Sequence, residues 1–290
     1  MKGDNTNDFP AKVLLFGEYT ALLQSDILAV PLNKFYGTWK FNPGIDNSSL
    51  VSLARYLTHS RYSELFQKDV FLDDIKKGLY FDSGINPGYG IGSSGALAAA
   101  VFDSYYKQKY GNLNDIKEIL ASIESFFHGT SSGIDPLVSF TRKGVFFSKN
   151  KISLIDSPYR GTNHFYLLDS GIKRSTSHFV KIFNDKRNNT AFLNNALNPL
   201  IRLNNEIIKL YLNNSDENVF TIFRDISHIQ FDFFKEMIPE KLLPLWEKTL
   251  SLPDIKIKLC GAGGGGYFLI ITKTENLPGF LSEKFGIIKL

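Results

Sequence analysis

The sequence predicts an α+β protein in two lobes, and three observations lead there. Strand-like and helical segments are mixed without regular alternation, and the helices gather in the second half. The 23 glycines are distributed unevenly, with twelve of them gathered at 84–95, 129–133 and 261–266. A length of 290 residues accommodates one large or two ordinary domains with a full core.

Taken in order, short apolar runs predict strands at 12–16, 27–40, 144–148, 164–169, 255–260 and 267–272. An alanine-rich helix is expected to open at Gly95 and run to about Tyr110. A second helix, from Asn114 to Phe127, places Ile116, Ile119, Leu120, Ile123 and Phe127 on one face, with Glu124 at its edge. Residues 149–162 are polar and include Pro158 and Gly161, which makes them the expected seam between lobes 1–155 and 156–290. Beyond it, glycine is absent from about 175 to 250. Ile201, Leu203, Ile207, Ile208 and Tyr211, then Phe220, Phe223, Ile226 and Phe231, recur at helical spacing.

Two glycine-rich loops carry the chemistry. The first, Asn86-Pro87-Gly88-Tyr89-Gly90-Ile91-Gly92-Ser93-Ser94-Gly95, runs straight into a helix. Glycines allow close backbone approach, and a helix start offers unpaired N–H groups and a positive dipole end, so the segment suits a phosphate. Ser93 and Ser94 add hydroxyls suited to phosphate oxygens or to magnesium. Residues 90–95 also spell the dinucleotide pattern G-x-G-x-x-G, but that reading needs a strand directly before it inside a βαβ unit. A Walker A loop fails, because no Lys-Ser or Lys-Thr follows the glycines.

The second loop, Cys260-Gly261-Ala262-Gly263-Gly264-Gly265-Gly266, lies between two apolar runs. Its position within a β region points to a backbone pressed against a ligand or another loop. Between the two loops, Glu124-Ser125-Phe126-Phe127-His128-Gly129-Thr130-Ser131-Ser132-Gly133-Ile134-Asp135-Pro136 joins a helix to a polar turn. Either acid there reads equally as a cap or a solvated side chain when taken alone. Residues 129–133 also match G-x-S-x-G, so a serine hydrolase with Ser131 as nucleophile is the rival reading; that elbow requires a strand before the serine. The histidines show no metal-ligand spacing.

Composition narrows the classes. Hydrophobic residues make up 43% and charged residues 21%, the balance of a globular chain. Lysine and arginine number 33 against 29 acids, a net +4 with no basic run, so a nucleic-acid partner is not expected. A single cysteine, Cys260, reads as a small buried hydrophobe and fits a reducing compartment. The polar start at Met1-Lys2-Gly3-Asp4-Asn5 and the lack of any run of ~20 apolar residues predict a cytoplasmic protein with no membrane partner.

Lys12-Val13-Leu14-Leu15-Phe16-Gly17-Glu18-Tyr19, the Gly-Ser-Ser loop and the terminal glycine loop together resemble the three motifs of the GHMP small-molecule kinases. The likeness spans nearly the whole chain. It implies an N-terminal lobe like ribosomal protein S5 domain 2 and a ferredoxin-like C-terminal lobe. Glu124, His128, Gly129, Ser132, Gly133 and Asp135 reproduce the mevalonate kinase pattern, and Asp169-Ser170-Gly171-Ile172-Lys173-Arg174-Ser175-Thr176 is similar to the stretch that opens the second lobe there. Tyr19 stands where mevalonate kinases place a histidine, Ser131 replaces a common proline, and the Gly17-Glu18-Tyr19 step leans toward phosphomevalonate kinases.

The resemblance implies ATP and Mg2+ as cofactors and a mevalonate-like hydroxy acid as acceptor, phosphorylated in isoprenoid biosynthesis. Other GHMP acceptors, or a non-catalytic nucleotide sensor, are the alternatives, and a homodimer is the assembly admitted. It assigns Gly88, Gly90, Gly92, Ser93, Ser94 and Gly95 to ATP, and Glu124 with Ser94 to the metal. Asp135 becomes the general base, with Lys12 beside it. Glu18, Tyr19, Gly263 and Gly264 are assigned to the acceptor side.

Overall fold

In the computed structural model, residues 8–107, 111–156, 159–174 and 176–290 are described. They form two compact units. The first comprises the chain up to Val13, 29–87 and 92–145; the second comprises 14–28, 88–91 and 146–290. The mixture of helices with antiparallel strands is the expected α+β class.

Strands β1 (Phe9–Phe16), β2 (Ile27–Phe41), β4 (Gly144–Ser148) and β5 (Lys151–Ile155) follow one another across one sheet. Strand β3 (Leu79–Ser83) pairs antiparallel with the far half of β2, from Gly37 opposite Ser83 to Phe41 opposite Leu79. Helices α1 (Ser48–Leu57) and α2 (Lys68–Lys76) belong to the same unit, with α3 (Ser93–Tyr105), α4 (Leu113–His128) and α5 (Ile134–Thr141). Small side chains let α3 sit at the centre: Ala96 and the run 98–102 are fully buried, and α3 packs on both α4 and α5. The helix starts two residues before the predicted Gly95, because Gly92 takes the left-handed cap position and frees Ser93 to be helical. The expected continuation of α3 to Tyr110 falls on residues outside the described ones.

The second unit holds a four-stranded antiparallel sheet of β6 (His164–Asp169), β7 (Ile255–Leu259), β8 (Tyr267–Thr272) and β9 (Gly286–Lys289), in the order β7-β8-β6-β9. Numbered from β6, that order is 2-3-1-4, the ferredoxin-like arrangement. Helices α6 (Thr176–Lys186), α7 (Thr190–Phe192), α8 (Asn198–Leu212), α9 (Val219–Phe233) and α10 (Leu243–Ser251) lie between β6 and β7, and α11 (Gly279–Ser282) precedes β9. Both α9 and α10 pack on β7, burying Ile222, Phe223, Ile226 and Trp246. Three strands escaped the sequence reading. β3 and β9 are short, and β5 lies inside the polar stretch 149–162.

Candidate active site

In the first unit, four elements bring the predicted groups together. β1 carries Lys12, α3 opens with Ser93 and Ser94, α4 carries Glu124 and His128 one turn apart, and α5 begins at Ile134 and Asp135. Lys12 Nζ lies 2.9 Å from Asp135 Oδ2. Lys12 is 8% exposed, while the Asp135 side chain keeps about a third of its surface open at 32%. The buried stem thus holds an ammonium beside a reachable carboxylate. Two glycines make room for this. A Cβ on Gly92, where φ is +78°, would stand 2.9 Å from Lys12 Cγ and 3.7 Å from Asp135 Oδ2. One on Gly95 would stand 3.0 Å from Asp135 Cβ, so α3 and α5 approach closely only because it is absent.

Glu124 is 5% exposed, on the inner side of α4. Ser94 Oγ donates to its Oε1 at 2.9 Å, and Ser131 Oγ donates to its Oε2. Ser131 in turn accepts from the Gly133 N–H at 2.9 Å, which folds the turn back toward α4. Ser94 Oγ also lies 3.0 Å from His128 Nε2. Burial, and next the negative charge of Asp135, push the Glu124 carboxyl up to about 7. The two serine hydroxyls and Lys12 oppose that rise.

A carboxylate and a hydroxyl oxygen in contact suit a hard cation such as Mg2+, which takes few protein ligands and fills its shell with water and phosphate oxygens. Two positive charges would also offset the repulsion from Asp135, which adds to burial in raising Glu124. Glu124 and Ser94 therefore fit the metal the sequence implies. Among the described residues, no cluster of three or more His, Cys, Asp or Glu could hold a metal by itself. Residues 129–133 lie between α4 and α5 with no strand before Ser131, so the hydrolase elbow is not what they form. Residues 90–95 likewise follow β3 after an intervening turn, and β3 is antiparallel to its neighbour, so the βαβ context of a dinucleotide site is missing there.

In the second unit, Glu18 and Tyr19 sit in the tight turn after β1 and are buried. Glu18 Oε1 accepts from Lys258 Nζ and from Gln230 Nε2, each at 2.6 Å, while Gln230 Oε1 accepts from the Leu259 N–H at 2.8 Å. Tyr19 donates its hydroxyl to the Ala262 carbonyl at 2.6 Å and stacks on Phe183 with centroids 4.6 Å apart. It does so at φ +61°, a backbone state costing ~1–3 kcal/mol for such a residue and sustained by those contacts. Burial pushes its hydroxyl well above the ordinary value, so it stays a donor.

Gly88 O accepts from the Arg174 N–H at 2.9 Å, and the Gly264 N–H donates to Met237 O at 2.6 Å, with Gly263 beside it. Residues 88–91 and the terminal glycine loop are therefore anchored inside this unit. Sequence reasoning gave no role to Lys258, Gln230 or His128, although the last stands in the quoted motif.

The family model for the GHMP kinases N terminal domain matches residues 41–144. Solved structures share the fold along the whole chain. Leishmania major mevalonate kinase, bound to R-mevalonate, superposes with a TM-score of 0.68 at 14% identity, covering 98% of this chain and 94% of the other. Lactococcus lactis galactokinase with galactose gives 0.65 at 14% identity, covering 98% and 92%. Streptococcus pneumoniae phosphomevalonate kinase gives 0.66 at 14% identity, covering 98% of each. No curated protein sequence matches the chain. No described helix is long and apolar enough to cross a membrane.

Proposed function

Because residues 41–144 are a GHMP kinase N-terminal domain in a chain with the GHMP kinase fold throughout, we propose an ATP-dependent kinase for a small hydroxy acid, with mevalonate as the preferred acceptor. GHMP kinases are ATP-using phosphotransferases, and the proposal adds the acceptor, the metal and the residue roles. The observation that carries it is the pairing of Lys12 with Asp135 beside the Ser94–Glu124 contact.

Phosphoryl transfer leaves the protein mainly positioning and charge neutralisation. Asp135 accepts the acceptor hydroxyl proton at a carboxylate oxygen while that hydroxyl oxygen bonds to the γ-phosphorus and the bond to ADP breaks. Lys12 keeps Asp135 oriented and faces the charge that develops on the transferring group. Gly88, Gly90, Gly92, Ser93 and Gly95 offer backbone N–H groups to the ATP phosphates, aided by the start of α3. Glu124 and Ser94 would hold Mg2+, which neutralises phosphate charge when bound. Within the second unit, Glu18, Tyr19, Gly263 and Gly264 are the candidate acceptor-binding residues, with Glu18 and Tyr19 held by their contacts with Lys258 and Ala262.

A phosphomevalonate acceptor is the second reading, favoured by Tyr19 at the position where mevalonate kinases carry histidine. Coupled ADP release with mevalonate, phosphomevalonate, homoserine and galactose tests both. Turnover is expected on mevalonate. Turnover on another acceptor alone overturns the substrate, and turnover on none overturns the kinase reading.

A further inference from the structure

Arg174 follows the β6 strand and reaches both glycine-rich loops within the second unit. Its backbone N–H donates to Gly88 O at 2.9 Å, and its Nη1 donates to Gly263 O at 3.4 Å. The guanidinium lies close to the backbone of Gly90 and of Gly261. A Cβ on Gly90 would stand 1.7 Å from Nη2 and 2.5 Å from Cζ, and one on Gly261 would stand 2.8 Å from Nη2 and 3.2 Å from Nη1. A side chain at either position would have to displace the end of the arginine. The loops are held from behind as well: Tyr19 pins Ala262, next to Gly261, and the Gly266 N–H donates to Ile172 O at 2.8 Å.

We propose that Arg174 is a positioning residue: its guanidinium is a wedge that sets the spacing between the two glycine loops and so fixes the Gly88–Gly90 backbone that receives nucleotide phosphate. The functional part of this rests on the kinase reading; the wedge itself does not. A planar, weakly hydrated cation suits a slot between two backbones, where a lysine would fill only part of the width. It adds a contact to the positive φ of 72° and 100° that already favours glycine at 90 and at 261, independently of any ligand.

A double-mutant cycle tests it, read in two ways on the full chain. Gly90→Ala and Arg174→Ala are measured singly and together, by urea unfolding and by ATP affinity in titration calorimetry without acceptor. Gly90→Ala is expected to weaken ATP binding at least about tenfold in the wild-type background and only a few-fold in the Arg174→Ala background, with the same non-additivity in unfolding. Arg174→Ala should raise the KM for ATP with the acceptor KM unchanged within about twofold, and Arg174→Lys should not restore it. Equal cost of Gly90→Ala in both backgrounds, or an unchanged ATP KM in Arg174→Ala, overturns the proposal. Arg174→Met replaces Arg174→Ala in the cycle if the latter fails to fold. If the wild type binds no ATP, the kinase reading falls while the unfolding cycle still decides the wedge.

Discussion

At the scale of residues, Asp135 and Glu124 are two carboxylates with different surroundings and different expected behaviour. Asp135 has an ammonium at 2.9 Å and partial access to solvent. Asp135→Asn keeps the shape and removes the proton acceptor, so kcat should fall by about 10²–10⁴ with ATP affinity kept within a few-fold. Steady-state kinetics beside calorimetry checks this, and near-normal turnover would remove Asp135 from its role. Glu124 is raised to about 7 by burial and by Asp135.

The folded chain therefore holds a proton between roughly pH 4.5 and 7 that the unfolded chain has released. Stability contributed by that proton is complete below the unfolded value and is lost as pH rises through the folded one. Thermal melts of the metal-free protein should show a falling midpoint across that window, and Glu124→Gln should flatten it. A wild-type midpoint rising over the same range would contradict the burial argument.

At the scale of elements, β7 shows where sequence pattern and structure part. Ile255-Lys256-Ile257-Lys258-Leu259 alternates as a half-exposed strand does, yet all five residues are buried. Lys256 Nζ donates to the carbonyls of Thr249, Leu252 and Ile255, closing the C-terminal end of α10. Lys258 is 0% exposed and paired with Glu18. The partners of Lys256 lie within seven residues of it, whereas Glu18 and Lys258 are 240 positions apart and are joined only by the fold.

Lys258→Met should cost about 3–5 kcal/mol, because Glu18 stays buried without its cation. Adding Glu18→Leu should recover much of that loss. Urea unfolding of the single and double variants measures it, and a single variant as stable as wild type would contradict the pairing. By contrast, α4 was legible, since the apolar periodicity of Ile116, Ile119, Leu120 and Ile123 marks the helix and puts Glu124 at the edge of its apolar face, where it is buried. The contacts of Arg174 were not legible, because Gly90 and Gly261 lie 84 and 87 positions from it in the sequence.

At the scale of the whole molecule, one fold serves mevalonate, galactose and phosphomevalonate kinases among the solved structures it resembles, so architecture alone does not select an acceptor. The α+β mixture was enough to reach the fold class, and the resemblance of three motifs to those of the GHMP kinases supplied the fold. In the function proposed above, the acceptor is selected by individual side chains, and Tyr19 is one position where the chain departs from the mevalonate kinase pattern. A net charge of +4 suits a catalyst with a few placed cations such as Lys12 in place of a basic face.

The most direct measurement follows the γ-phosphoryl group from labelled ATP in the presence of mevalonate, comparing wild type with Asp135→Asn. The expected result is one phosphorylated mevalonate per ADP, with the signal collapsing in the variant. ADP release without a phosphorylated acceptor, or equal product from both proteins, would contradict the account.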